Sequence, residues 1–143
     1  MKKTILTFAF TAFSVLGFAQ TKMVVGVAYV KQNKTGCKQF TTAEGYKYRI
    51  EKSANVKMTD LRNAVEKDLK SRYVNPEVML STATDKNTAV VISYHRPVMG
   101  NDCIKHSYAV GFGNSYKEAR ENAVKEMKLY YTGIDWKQIA VLE

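Results

Sequence analysis

The chain has 143 residues and a formal net charge of +9, with 45% hydrophobic and 24% charged residues. That length leaves room for one modest core and little more. No internal repeat, low-complexity tract or linker rich in Pro, Gly or Ser is visible, so nothing in composition divides the chain further.

Lys2 and Lys3 give a short positive region, and an apolar stretch runs from Ile5 to Phe18. Gly17-Phe18-Ala19 places small residues where a signal peptidase cuts, so residues 1–19 are expected to be a cleavable signal peptide. The stretch falls short of the roughly 20 residues that a bilayer span needs. No cysteine follows the cut for lipid attachment, and no later segment is apolar enough to span a membrane. The expectation is an exported protein, periplasmic or extracellular, with residues 20–143 as a single α+β domain. Losing Lys2 and Lys3 lowers the net charge from +9 to +7, a balance that attracts polyanions during encounter.

Met23 to Lys31 is rich in valine and reads as a strand, and Gln32 to Gly45 is polar and reads as a loop. In Tyr46 to Glu51 the residues Tyr46, Tyr48 and Ile50 fall on one face, opposite Lys47, Arg49 and Glu51. Thr59 is placed to cap a helix reaching about Tyr73, with Leu61, Ala64, Val65 and Leu69 as its apolar stripe. Pro76 follows as a stop. Glu77 to Ala83 and Thr88 to His95 read as strands around the polar turn 84–87, and Cys103 to Phe112 as another. Ser115-Tyr116-Lys117-Glu118 is a capping box, which starts a second helix carrying Ala119, Ala123, Val124, Met127 and Tyr130 inward. Gly133 is expected to end it, and Ile139 to Leu142 to form a last short strand. The order is β-β-α-β-β-β-α with that final strand. One antiparallel sheet backed by two helices is the simplest layered arrangement.

Residues 59–131 follow the α-β-β-β-α order of a double-stranded-RNA-binding domain, and the passage from Ala109 to Arg120 resembles that family's last strand, glycine turn and basic helix. The resemblance implies that Lys117 and Arg120 would lie against phosphates. Tyr116 stands where the family usually has another lysine, and the turn 84–87 lacks its Gly-Pro-x-His element. The resemblance is one of topology, and the family's function is not carried over.

Cys37 and Cys103 make an even pair in a chain read as exported, so a disulfide is expected. Neither sits in a redox motif. His95 and His106 invite a metal or acid–base proposal, with Asp102 close in sequence. Grouping Val90, Ile92 and Tyr94 with Ile104, Tyr108 and Val110 puts His106 on an apolar face and His95 on the other, because one residue of register reverses a strand. No third ligand stands at a metal spacing, so neither metal nor cofactor is expected. Gly111 and Gly113 precede a helix, as at an anion site, without the full spacing of a nucleotide motif.

No nucleophile elbow, phosphate loop or zinc-protease motif occurs. The reading is therefore a non-catalytic exported module that binds a protein or another envelope component. The alternative is a binder of anionic polymers, extracellular nucleic acid or acidic glycan, through Lys47 and Arg49 between tyrosines and through Lys117 and Arg120. Against it, the helices interleave acids with cations four residues apart, as in Arg62 with Glu66 and Lys117 with Glu121, which marks a solvated face. A hydrolase pairing His95 with Asp102 comes third.

Overall fold

In a computed structural model that describes residues 20–37, 39–98 and 103–143, the chain forms six strands and two helices. They are β1 (Lys22–Gln32), β2 (Phe40–Glu51), α1 (Met58–Arg72), β3 (Glu77–Thr84), β4 (Thr88–Pro97), β5 (Ile104–Gly113), α2 (Tyr116–Lys128) and β6 (Trp136–Leu142). The leader at residues 1–19 and Asp102 lie outside the described residues.

The order of elements is the expected one, but the expected single sheet is two. β2-β1-β3 and β5-β4-β6 are separate three-stranded antiparallel sheets. The reason lies in β1 and β4. Met23, Val24 and Val25 on β1 are fully buried, as are the successive residues Ala89 to Ile92 on β4. A strand apolar on both faces must be covered on both faces. Each is therefore the middle of its own sheet, and the segment 84–87 is a crossover between sheets. Two backbone bonds pin it: Asp85 N–H donates to Thr21 O at 2.8 Å and Asn87 N–H donates to Gly113 O at 3.1 Å. Asp85 takes φ 58 to make the corner.

The layers run α1, first sheet, second sheet, α2. Val24 and Ala28 pack outward against Leu61, Val65 and Leu69 of α1. Met23 and Val25 pack inward against Ala89, Val91 and Leu142. Val90, Ile92 and Ala109 pack against Ala119, Ala123 and Met127 of α2. Both halves thus repeat one β-β-α-β unit, with the first strand central and the helix outside. The repeat is invisible in the sequence; the tripeptide Asn-Ala-Val at 63–65 and 122–124 is all that the two helices share.

Several local expectations shift. β2 begins at Phe40 and pairs back to Gln32, so residues 40–45 are strand where a loop was expected. A bulge at Glu44 interrupts the alternation there, since Ala28 pairs Gly45 and Tyr29 pairs Ala43. The cap of α1 is Lys57, which makes no side-chain bond, and Thr59 lies inside the helix. Ser115 does cap α2, accepting from Glu118 N–H at 3.2 Å, while Glu118 reaches back one residue further than expected, to Asn114 N–H at 2.8 Å. Tyr130 and Tyr131 N–H both donate to Met127 O at 2.9 Å, so α2 closes on its own carbonyls before Gly133.

Gly111 and Gly113 serve packing. They face α2 from within β5, and a Cβ at Gly111 would overlap the Ala123 amide nitrogen and the Ala119 carbonyl oxygen. Backbone cannot yield as a side chain can. Gly111→Ala is expected to cost about 1–3 kcal/mol of stability in urea unfolding. The disulfide Cys37–Cys103 joins the β1–β2 and β4–β5 connections, equivalent places in the two halves, across 66 residues with Cα atoms 6.1 Å apart. Replacing both cysteines by serine is expected to lower stability by about 4 kcal/mol in the same experiment.

Candidate functional site

The sheets do not cover each other completely. On the inner face of the first sheet, Tyr29 of β1 and Met79 and Ser81 of β3 line a cleft of about 210 Å³. β5 forms its wall, and Glu126 of α2 overhangs it together with Tyr130, which lies in the turn beyond α2 and is not part of the inward helix stripe expected for it. Met79 is 57% exposed and Tyr130 56%, so the mouth is open.

β5 is an edge strand, and side chains guard its free backbone. Thr42 Oγ1 accepts from His106 N–H at 2.9 Å, and Asn122 Nδ2 donates to Phe112 O at 2.8 Å. These bonds blunt pairing with another strand. What the cleft offers is side chains.

Two of those side chains are cationic. Arg96 on β4 and Lys105 on β5 are direct cross-strand partners, and both line the cleft. Like charges placed opposite each other oppose folding. Among the described residues no carboxylate lies within 4 Å of either, and the buried Nε of Arg96 has no hydrogen-bond partner. The guanidinium sits 5.1 Å from the centre of the Tyr130 ring, which holds it in place. Burial, and then the Arg96 charge, lower the Lys105 pKa. Burial also raises the phenol pKa values of Tyr29, Tyr94 and Tyr108. The phenols stay neutral donors at physiological pH. Glu77 and Glu126 also line the cleft and are exposed at its rim.

The equivalent corner of the second sheet holds Ser93, His95 and Lys137, beside Trp136. Here the histidine expectation is overturned. His95 and His106 are direct cross-strand partners on one face, with ring centroids 4.9 Å apart. Val90, Ile92 and Tyr94 instead share the helix face with Gly111, Ala109 and Ser107. The apolar alternation could not reveal this, because β4 is buried on both faces. His106 Nδ1 lies 3.0 Å from Ala43 O and Nε2 lies 2.6 Å from Ser93 Oγ. A carbonyl only accepts, so Nδ1 carries the hydrogen and Nε2 accepts from the serine. Nδ1 ties the two sheets together, while Nε2 is held within the second sheet by its own β4. Among the described residues no group of three His, Cys, Asp or Glu side chains could hold a metal.

The four basic residues singled out from sequence fall on different layers. Lys47 and Arg49 lie on β2 beside α1, where Lys47 reaches Asp68 at 3.7 Å. Lys117 and Arg120 lie on α2, the opposite outer layer, and Arg120 sits 5.2 Å from the centre of the Trp136 ring. The structure does not bring the two pairs together. Of the acid–base pairs four residues apart in the helices, Glu66–Lys70 and Asp68–Arg72 form, at 2.5 and 3.0 Å, while Arg62–Glu66 and Lys117–Glu121 make no ion pair within 4 Å among the described residues. Sequence reading missed Arg96 and Lys105. The signal was parity: Arg96 follows Ile92 and Tyr94 at alternate positions, so it continues a buried face with a charge.

No family model, curated protein or solved structure matches the chain. Among the described residues no helix is long and apolar enough to cross a membrane.

His106 generates a test of this geometry. Burial lowers its pKa from the ordinary 6.5, with His95 acting in the same direction against the Ala43 carbonyl. The unfolded chain then binds the extra proton first, so this contribution to stability is complete above 6.5 and is lost as pH falls through the lower folded value. Urea unfolding at about pH 7.5 and about pH 5.5 should show that loss in the native chain. His106→Gln should be less stable at the upper pH and show a smaller change between the two.

Proposed function

We propose that this chain is an exported binding module, non-catalytic and closed by a disulfide, and that it binds through the cleft walled by β5 and α2. The observation that carries the reading is the cleft itself. It joins the tyrosines Tyr29, Tyr94, Tyr108 and Tyr130 to an apolar floor at Val27 and Met79. Thr41, Ser81, Arg96 and Lys105 add polar groups to that surface, and concave sites that combine apolar and aromatic surface with placed polar groups are where small ligands bind. The Cys37–Cys103 bridge supports export, since such bonds persist in oxidising compartments. The composition of residues 1–19 supports it independently.

Export is checked by expressing the full chain in a bacterial host and sequencing the mature N-terminus, which should begin at Gln20. Recovery of the intact chain from the cytosol, Met1 retained, would remove that part of the reading. Binding is checked by screening small aromatic fragments with amide chemical shifts. Shifts should concentrate at Tyr29, Met79 and Lys105, and Ser81→Phe, which fills the cleft, should abolish them without unfolding the chain.

The alternative, a binder of anionic polymers, draws on the net charge of +7 after loss of Lys2 and Lys3 from the +9 of the whole chain. It predicts heparin or DNA binding that weakens steeply with salt. The separation of Lys47 and Arg49 from Lys117 and Arg120 places it second.

A further inference from the structure

We propose that the ligand of the cleft is a small organic carboxylate, whose head group is held by Arg96 and Lys105 and whose body rests on Tyr29, Met79 and Tyr130. This rests on the reading of the cleft as the binding site and adds the chemical class of what enters it.

The argument begins with a cost. Arg96 and Lys105 face one another across β4 and β5 in a half-buried setting, with no carboxylate within 4 Å among the described residues. The pair opposes folding, and among the described residues the buried Nε of Arg96 has no hydrogen-bond partner. An anion seated between the two would relieve both defects. Arg96 is already oriented by its stacking on Tyr130, so its planar fork suits a two-oxygen head group at little further entropic cost. The lowered Lys105 pKa agrees, since an anion would draw the proton back to that amine.

The rim sets the rest of the specificity. Glu77 and Glu126 line the cleft and are exposed, and among the described residues neither comes within 4 Å of Arg96 or Lys105. Their charges repel a polyanionic chain running across the opening, and they disfavour a dianionic head more than a monoanionic one. The opening therefore selects one negative charge on a compact apolar body. Val27, Met79 and the Tyr29 ring supply the surface for that body.

The test compares matched probes on protein recovered from the exporting host. 4-Hydroxyphenylacetate, its neutral amide 4-hydroxyphenylacetamide, benzyl phosphate and heparin are titrated against amide shifts at Tyr29, Met79 and Lys105. The carboxylate should bind about tenfold or more tightly than the amide, the usual value of a charge-assisted hydrogen bond. Arg96→Gln and Lys105→Gln should each reduce that preference, and the double variant should bring the affinity of the carboxylate down to that of the amide. Raised thermal stability of the double variant without ligand is also expected, because the like-charge contact is gone.

Equal affinity for carboxylate and amide would overturn the carboxylate assignment and leave the cleft reading standing. A preference that survives in the double variant would overturn it as well. Tighter binding of benzyl phosphate, or heparin shifts at these three amides, would replace the class proposed here. If none of the probes moves these amides, this assignment and the cleft reading both fall.

Discussion

The structure depends on how two small sheets are held face to face at one corner. His106 on β5 donates from its backbone N–H to Thr42 and from Nδ1 to Ala43 O, both on β2, at 2.9 and 3.0 Å. The Cys37–Cys103 bridge lies just before these same two strands. Each sheet alone is three strands with one helix, a unit with little core of its own. The inward faces around Met23, Val25, Ala89 and Val91 are buried only because the sheets stack. The latch and the bridge fix where that stacking begins, and hence which parts of each sheet stay uncovered.

The uncovered parts are the candidate sites. Because the two halves share one topology, each exposes the far end of its central strand beside its third strand. Val27 pairs Met79 in the first half, and Ser93 pairs Lys137 in the second. The two corners carry different chemistry. The second spends its polar groups on the latch: Ser93 satisfies the Nε2 of His106, and His95 stacks upon that ring. The first keeps Arg96 and Lys105 without ion pairs among the described residues, beside the Tyr130 ring. A repeated unit can thus use one corner for cohesion and leave the other for recognition.

Much of the local structure was legible in the residues. The capping box at Ser115 starts α2 where expected, and the stripes through Leu61, Val65 and Leu69 and through Ala119, Ala123 and Met127 are the buried helix faces. The cysteine pair was equally readable. What was hidden followed from strands buried on both sides. Successive apolar residues at 89–92 carry no alternation, so they hide which face His95 and His106 share and to which sheet β4 belongs. The cleft was hidden for the same reason, since Arg96 and Lys105 meet only once the β4–β5 register is known.

By itself the sequence determined the helices, the order of elements, the covalent staple and the leader-like composition of the first nineteen residues. These depend on neighbours within a few positions, or on residue type alone. Tertiary structure decided that the strands divide into two sheets, that the halves repeat, and that Arg96 and Lys105 share a cleft while His106 becomes a peg. Those outcomes turn on which strand lies beside which. Pairing between distant segments leaves no periodic mark on a strand whose two faces are both covered.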